Sequence, residues 1–250
     1  MKLAGLQKTT LIDFPGKVAC TVFTIGCNFA CPFCHNKDLI TLELFSRAKR
    51  DFLSGKDFFS FLKRRKKILD GVCVTGGEPT LQKDLIFFLA KIKRLGLEVK
   101  LDTNASQPKV VQELIKKNLV DFWAVDFKTI WENYFQVTGF KKIAEIKKSL
   151  KLILASGKPL ELRTTIVPGI HDEKMLLAMA RELREIAMTP RTVARRDSSE
   201  VAFMASFSWK WNNFQPKNTL DPAFEKIKPY SEGQIKKLAS LVADIFPVVE

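Results

Sequence analysis

Residues 18–34 read VACTVFTIGCNFACPFC, a near-continuous apolar run followed directly by a loop that carries three cysteines. An apolar run without polar alternation is typical of a parallel β-strand that is covered on both faces. We therefore predict a strand over residues 18–26, with Cys27, Cys31 and Cys34 in the loop at its carboxyl end.

Four further runs of the same kind alternate with amphipathic helical patterns. The predicted strands cover 71–78, 97–104, 120–127 and 160–167, and a sixth strand is expected within 201–209. Helical periodicity covers 81–95, 110–118, 141–157, 174–187 and 231–246. Strands that alternate with helices form βαβ units, so the sequence favours an α/β fold, a closed or incomplete barrel of parallel strands.

The size and composition of the chain predict a single globular domain over residues 1–250. Hydrophobic residues make up 46% of the sequence and charged residues 27%, which is ordinary for a globular protein. A length of 250 residues is within the range that α/β barrels reach as one domain. Residues 188–211 form an atypical segment, since a proline break and a charged stretch precede an aromatic end that we expect to be a last strand.

The chain is strongly basic, with a formal net charge of +14 at pH 7. An excess of positive charge favours acidic partners, namely nucleic acid, an anionic membrane or an acidic protein. Alternatively, it reflects lysine-rich helix faces exposed to solvent, such as 61–67 and 145–151. The N-terminus lacks the pattern of a signal peptide, and no run of about 18 apolar residues predicts a membrane span. Five cysteines, three of them clustered, suit a reducing cytoplasm.

Polar and glycine residues follow the predicted strands at their carboxyl ends. Gly76–Pro79 closes the second strand, Asp102–Asn104 the third and Asp126–Lys128 the fourth. In parallel barrels these ends converge on one mouth, where active sites lie. Singly, each motif also reads as a tight turn, a helix cap or a surface ion pair. Arg163 points either into solvent or inward, where it would need an anion.

The cysteine loop is compatible with three kinds of metal centre. Zinc would need a fourth ligand, and His35 directly adjoins Cys34. An electron-transfer iron–sulfur cluster is usually held by four cysteines, and the spare Cys20 and Cys73 lie inside apolar strands. A [4Fe–4S] cluster with one iron left open for a substrate is the alternative that explains the missing ligand.

The CxxxCxxC spacing of CNFACPFC, joined to GGEP, resembles the radical S-adenosylmethionine (SAM) enzymes. The longer stretches are similar to those of the anaerobic ribonucleoside-triphosphate reductase-activating proteins, a branch of the glycyl-radical-enzyme activases. These stretches are QKTTLIDFPGKVACTVFTIGCNFACPFCHN (7–36), VCVTGGEPTLQ (72–82), LDTN (101–104), VDFK (125–128), RTTIVPG (163–169) and FQPKNTLDP (214–222).

The resemblance implies a partial (βα)6 TIM-like barrel in which Cys27, Cys31 and Cys34 ligate the cluster and SAM chelates the fourth iron. It implies that Phe33 lies near the adenine and that the Gly76–Pro79 backbone meets the methionine amino group. Asp102, Thr103 and Asp126 match residues that surround a monovalent cation in related activases, while Lys128 and Arg163 would offer positive charge to SAM. The full set of expected cofactor-binding residues is Phe33, Gly76, Gly77, Glu78, Asp102, Thr103, Asn104, Asp126, Lys128 and Arg163.

The chemistry implied by the resemblance is reductive cleavage of SAM to a 5′-deoxyadenosyl radical, which takes a hydrogen atom from a glycine of the partner reductase. The implied electron donor is a flavodoxin or ferredoxin. Within the same superfamily, another glycyl radical enzyme or a small molecule is an alternative substrate. A basic nucleic-acid-binding protein with a structural zinc is an alternative of a different class, which no second metal-ligand pair or nucleic-acid motif supports.

Overall fold

A computed structural model describes residues 1–49, 51–187, 207–246 and 248–249. Its strands form one sheet in chain order. They are β1 (Leu3–Thr10), β2 (Ala19–Thr24), β3 (Gly71–Gly76), β4 (Glu98–Thr103), β5 (Phe122–Asp126), β6 (Leu160–Ile166), β7 (Phe207–Asn213) and β8 (Val248–Val249). β1 pairs antiparallel with β2, and every later neighbouring pair is parallel. The predicted α/β class with parallel barrel-type strands is confirmed.

Helices connect the strands. They are α1 (Leu42–Arg47), α2 (Gly55–Arg65), α3 (Leu85–Lys93), α4 (Pro108–Lys116), α5 (Tyr134–Thr138), α6 (Ile143–Ser156), α7 (Glu173–Ala187) and α8 (Glu232–Val242). Within the ranges described above, none of these helices has the length and apolar character needed to cross a bilayer.

The strand predictions agree with the structure except at the two edges of the sheet. The five earlier predicted strands correspond to β2–β6, and the last three residues of the sixth, 207–209, begin β7. Residues 188–206, which contain the rest of that predicted strand and most of the atypical segment, lie outside the described residues. The edge strands β1 and β8 were not predicted. The single-domain organisation over 1–250 stays a prediction.

The apolar side chains of the central strands are buried in the core, as their sequences predict. Trp123 on β5 and Trp209 on β7 are fully buried, and the indole N–H of Trp209 donates to Thr164 Oγ1 over 2.9 Å. Charged side chains are buried on these strands too: Lys100 on β4 is only 2% exposed, Asp102 on the same strand 7% and Glu161 on β6 8%. Lys100 and Asp102 are two residues apart and therefore lie on the same face of β4.

Candidate functional site

A cavity of about 230 Å³ lies at the carboxyl ends of the parallel strands. Its lining contains most of the predicted site residues: Cys27, Cys31, Phe33, Cys34, Gly76, Gly77, Asn104, Asp126, Lys128 and Arg163. Glu78, Asp102 and Thr103 are not part of the lining; they are buried behind it. The structure thus brings the four strand-end motifs to one place, as the barrel topology requires.

Backbone contacts hold the cysteine loop in place. The Cys27 N–H donates to the carbonyl of Ile40 over 3.0 Å, and the Ala30 N–H donates to the carbonyl of Thr138 over 2.8 Å. Within the loop, the Cys34 N–H donates to the Cys31 carbonyl over 3.0 Å, which makes a tight turn between these two thiols. The loop is therefore positioned by the segment before α1 and by the end of α5.

Burial governs the protonation of the three thiols. It raises the pKa of Cys27 and of Cys31 to about 12 each and raises that of Cys34, while the ammonium of Lys128 opposes the shift. Without a bound cationic centre the thiols are protonated at neutral pH, so their ligation of iron would release protons. In the described part of the chain, no three His, Cys, Asp or Glu side chains converge closely enough to hold a single metal ion.

The glycines of the GGEP motif allow the end of β3 to touch the start of the cysteine loop. Gly76 has a φ of +118°, and a Cβ on it would overlap the backbone of Thr24. A Cβ on Gly77 would overlap the carbonyl of Gly26, whose oxygen also accepts the Glu78 N–H over 2.7 Å. This part of the cavity wall is therefore pure backbone, which only glycine permits.

The Glu78 side chain ties the ends of β3 and β4 together. Its fully buried carboxylate accepts the Thr103 hydroxyl over 2.7 Å, the Asn104 N–H over 2.6 Å and both donors of Thr80. Burial raises the pKa of Glu78, and these hydrogen bonds only partly offset the rise. The Glu78 carboxylate is therefore occupied by hydrogen bonds within the protein, and the GGEP motif lines the cavity through Gly76 and Gly77.

Five charged side chains form an alternating chain across the mouth. Lys100 Nζ lies 2.6 Å from Asp102 Oδ1, and Arg163 Nη1 lies 2.7 Å from Asp102 Oδ2. Arg163 Nη2 lies 3.3 Å from Asp126 Oδ1, and Lys128 Nζ lies 3.2 Å from Asp126 Oδ2. Arg163 thus takes the inward alternative, and its required anions are Asp102 and Asp126.

The pKa values follow from this alternation of charge. Burial by itself would raise the pKa of Asp102, but the charges of Arg163 and Lys100 outweigh it and lower the pKa to about 2. Burial would lower the pKa values of Arg163 and Lys128, yet their carboxylate neighbours raise both. Asp102, Arg163 and Lys128 are therefore charged at neutral pH, and the two cationic side chains among them line the cavity.

An amide network that the sequence did not predict joins the cysteine loop to the end of β4. Asn104 Nδ2 donates to Asn28 Oδ1, and Asn28 Nδ2 donates to Ser106 Oγ, both over 2.9 Å. The Ser106 N–H in turn donates to Asn104 Oδ1 over 3.0 Å. Asn28 lies between two of the cysteines, so this network fixes the orientation of their loop.

Two residues outside the strand-end motifs, Tyr134 and His171, support the backbone of Asp126 and Lys128. The Tyr134 hydroxyl donates to the Asp126 carbonyl over 3.1 Å and accepts the Lys128 N–H over 3.3 Å. His171 Nε2 lies 2.8 Å from the Lys128 carbonyl, while its Nδ1 accepts the Val167 N–H. Burial lowers the pKa of His171 to about 4, so this imidazole is neutral and its Nε2–H is the donor.

The segment that follows β7 covers the outer side of the cysteine loop. The Asp221 N–H donates to the Pro32 carbonyl over 2.9 Å, and the Lys37 ammonium donates to the Thr219 carbonyl over 3.1 Å. The ring of Phe33 lies 6.4 Å from that of Phe224, centroid to centroid. Phe33 is thereby fixed between the cavity and this segment.

The donor set fits an iron–sulfur cluster with a charged organic ligand beside it. Three thiols lie on one wall, the glycine backbone forms a second wall, and Lys128 and Arg163 supply positive charge for a carboxylate. The glycine wall is a cradle that any Cβ would fill.

Comparison with known proteins gives consistent matches. The profile of the Radical SAM superfamily matches residues 21–181. A proposed glycyl-radical enzyme activating enzyme of Methanocaldococcus jannaschii is 29% identical over 245 residues, which are 96% of this chain and 90% of that protein. The pyruvate formate-lyase-activating enzyme of Streptococcus mutans is 28% identical over 222 residues, with 84% of this chain and 82% of that enzyme covered.

Among solved structures, the crystal structure of Streptococcus suis SuiB superposes with a TM-score of 0.59 at 19% identity. The match covers 88% of this chain but only 44% of SuiB, so this chain spans less than half the length of that protein. At this level of identity the likeness concerns the fold alone.

Proposed function

Because the chain belongs to the radical SAM superfamily, whose members use a [4Fe–4S] cluster and SAM, we propose that it is a glycyl-radical-enzyme activating enzyme. The observation that carries the proposal is the meeting of three thiols, a glycine backbone wall and two cationic side chains in one cavity. The similarity to the Methanocaldococcus jannaschii protein supports it, since that alignment extends over 96% of this chain.

We assign the ligands of the cluster to Cys27, Cys31 and Cys34. Their loop is anchored at Ile40 and Thr138, so the thiols are held before any iron binds. When bound, the cluster and SAM supply reductive cleavage of the carbon–sulfur bond, which yields a 5′-deoxyadenosyl radical. Three cysteines leave one iron of such a cluster open to a ligand, and an open position is the mark of a catalytic centre.

The remaining residues bind and orient SAM in this proposal. Lys128 and Arg163 attract its carboxylate, and the backbone of Gly76 and Gly77 approaches its amino group because no side chain intervenes. Phe33 offers an aromatic surface to the adenine. Asn104 orients the cysteine loop through its hydrogen bond to Asn28, and Glu78 joins the ends of β3 and β4 through its hydrogen bond from Thr103.

We propose that the partner is an anaerobic ribonucleoside-triphosphate reductase. The motifs QKTTLIDFPGK, VCVTGGEPTLQ and FQPKNTLDP support this choice, since they resemble the activating proteins of that reductase. The net charge of +14 suits an acidic electron donor such as a flavodoxin or ferredoxin. A reducing cytoplasm suits free thiols and an oxygen-sensitive cluster, and we propose this location for the protein.

Anaerobic incubation of the iron-loaded protein with SAM, a reductant and a purified reductase tests this function. Electron paramagnetic resonance of the reductase should then reveal a glycyl radical, and a reductase whose radical-site glycine is replaced by alanine is the matched control. Cleavage of SAM without any radical on the reductase, but with a radical on another glycyl radical enzyme, would reassign the partner. Failure to cleave SAM at all would refute the proposed activity.

A further inference from the structure

The carboxylate of Asp102 is fully engaged by cationic groups of the protein. Lys100 Nζ donates to one oxygen over 2.6 Å, and Arg163 Nη1 donates to the other over 2.7 Å. Lys100 reaches it from the same strand and Arg163 from β6, and the Asp102 side chain is only 9% exposed. A metal cation beside Asp102 would have to displace one of these donors.

The other two side chains expected around a monovalent cation are engaged as well. The Thr103 hydroxyl donates to Glu78 and accepts the Ala105 N–H over 3.0 Å. Asp126 is shared between Arg163 and Lys128. The residues present therefore do not fit the cation that the sequence resemblance predicts.

The balance of charge leads to the same conclusion. Lys100, Arg163 and Lys128 carry three positive charges against the two negative charges of Asp102 and Asp126, which leaves the chain of ion pairs with a net +1. Glu161, two residues before Arg163 on the same face of β6 and only 8% exposed, adds a third carboxylate, so positive and negative charges balance here without a metal cation.

Lys100 differs from the other two cations in its position. Arg163 and Lys128 line the cavity and are available to an entering anion, whereas Lys100 is 2% exposed and lies outside the lining. Its ammonium is held between Asp102 and the ring of Phe122, whose centroid is 5.8 Å away. Lys100 thus pairs with Asp102 at a place that is not part of the cavity lining.

We propose that Lys100 is a built-in counterion that replaces a bound monovalent metal cation beside Asp102. An ammonium group carries the same charge as such an ion and, like it, neutralises the carboxylate next to the SAM site. Lys100 is a positioning residue in this role, because it holds Asp102, and Asp102 holds Arg163. Neither the folding of the protein nor its binding of SAM then requires potassium or sodium.

Thermal unfolding of the iron-free full chain tests the inference without relying on the proposed function. Wild type, Lys100→Met and Lys93→Met are melted in the chlorides of potassium, sodium and tetramethylammonium at one ionic strength. Lys93→Met is the matched control, because Lys93 at the end of α3 makes an equally short 2.6 Å ion pair with Asp121, just before β5 and away from the cavity. Tetramethylammonium is too large for a cavity of the size of a lysine ammonium.

We expect wild type to melt at the same temperature in all three salts. Lys100→Met should melt roughly 5 °C or more below wild type in tetramethylammonium, and potassium or sodium should restore roughly 3 °C of this by filling the vacated place. Lys93→Met should melt at one temperature in all three salts. Absence of any cation-specific recovery in a folded Lys100→Met would overturn the inference.

A second measurement on wild type alone decides the matter if Lys100→Met does not fold. The melting temperature and, for the iron-loaded protein, the affinity for SAM should be independent of the salt, the latter to within about twofold. The prediction for SAM affinity depends on the proposed function, whereas the prediction for the melting temperature does not. A failure of the proposed function can therefore be told apart from a failure of the cation replacement. Stabilisation of wild type by potassium or sodium of more than about 3 °C over tetramethylammonium would show that the folded protein binds a metal cation and would contradict the replacement.

Discussion

The substitution Asp102→Asn removes the carboxylate on which the chain of ion pairs across the barrel mouth depends. It leaves the ammonium of Lys100 and the guanidinium of Arg163 near one another in a buried place, with no negative charge between them. Removal of one partner from a buried ion pair costs about 3–5 kcal/mol, because the remaining charge has lost both its solvent and its counterion.

The pKa of Asp102 gives an independent lower estimate of the cost. A value lowered from 3.8 to about 2 corresponds to about 2 kcal/mol of stability at neutral pH. Since the folded-state pKa is below the unfolded-state value, this stabilisation is complete above about pH 5 and is lost as the pH falls towards about 2. The two estimates together predict a loss of about 2–5 kcal/mol, or roughly 5–15 °C in melting temperature.

Urea denaturation of wild type and Asp102→Asn over a series of pH values measures this loss. The gap between the two unfolding free energies should be largest near neutral pH and should close towards about pH 2, where Asp102 is protonated and resembles asparagine. Glu98→Gln is the control, because Glu98 makes an equally short 2.6 Å pair with Lys17 but is 41% exposed. A neutral-pH gap no larger than that of Glu98→Gln, or a gap independent of pH, would refute the reasoning.

Three further substitutions test other parts of the site. Cys31→Ala should lose the bound cluster and all cleavage of SAM by iron analysis and product chromatography, whereas Cys20→Ala, which removes a thiol buried in β2, should keep both. Gly77→Ala should lower the free energy of unfolding by about 1–3 kcal/mol, because its Cβ would overlap the Gly26 carbonyl, while Gly233→Ala in α8 meets no atom and should be neutral or stabilising in the same urea titration. Burial lowers the folded-state pKa of His171 to about 4, so wild type should lose stability as the pH falls from about 6.5 to about 4. His171→Gln should lack this part of the pH dependence of the unfolding free energy. An unchanged pH profile would contradict a neutral, buried imidazole.

The strands whose sequences are apolar on both faces were predictable, and β1 was not. β2 to β6 are near-continuous apolar runs because each is covered on both sides. β1 reads LAGLQKTT, with most of its side chains partly or fully exposed, and it forms only because its backbone pairs with β2 in a hairpin. A polar edge strand of this kind carries no periodic signal, so its existence depends on a tertiary contact.

The site residues divide in the same way. Motifs placed directly after strands were predictable, because parallel strand ends converge whatever their exact register. Lys100 was not, since a lysine within a strand reads as a side chain that points to solvent. Its burial depends on tertiary packing, in which its ammonium pairs with Asp102 and lies against the ring of Phe122 on the neighbouring strand β5. Tyr134 and His171 were missed because they support Asp126 and Lys128 from segments that have no motif of their own.

Spectroscopy of SAM bound to the protein tests the central claim most directly. The anaerobically reconstituted, reduced protein is mixed with SAM labelled with magnetic isotopes at its amino and carboxylate groups, and electron–nuclear double resonance is recorded. With three cysteine ligands and about four irons per chain, we predict hyperfine coupling from both labels, which requires that SAM is bound to the open iron. A cluster that shows no coupling to either label, or whose spectrum is unchanged by SAM, would contradict the account.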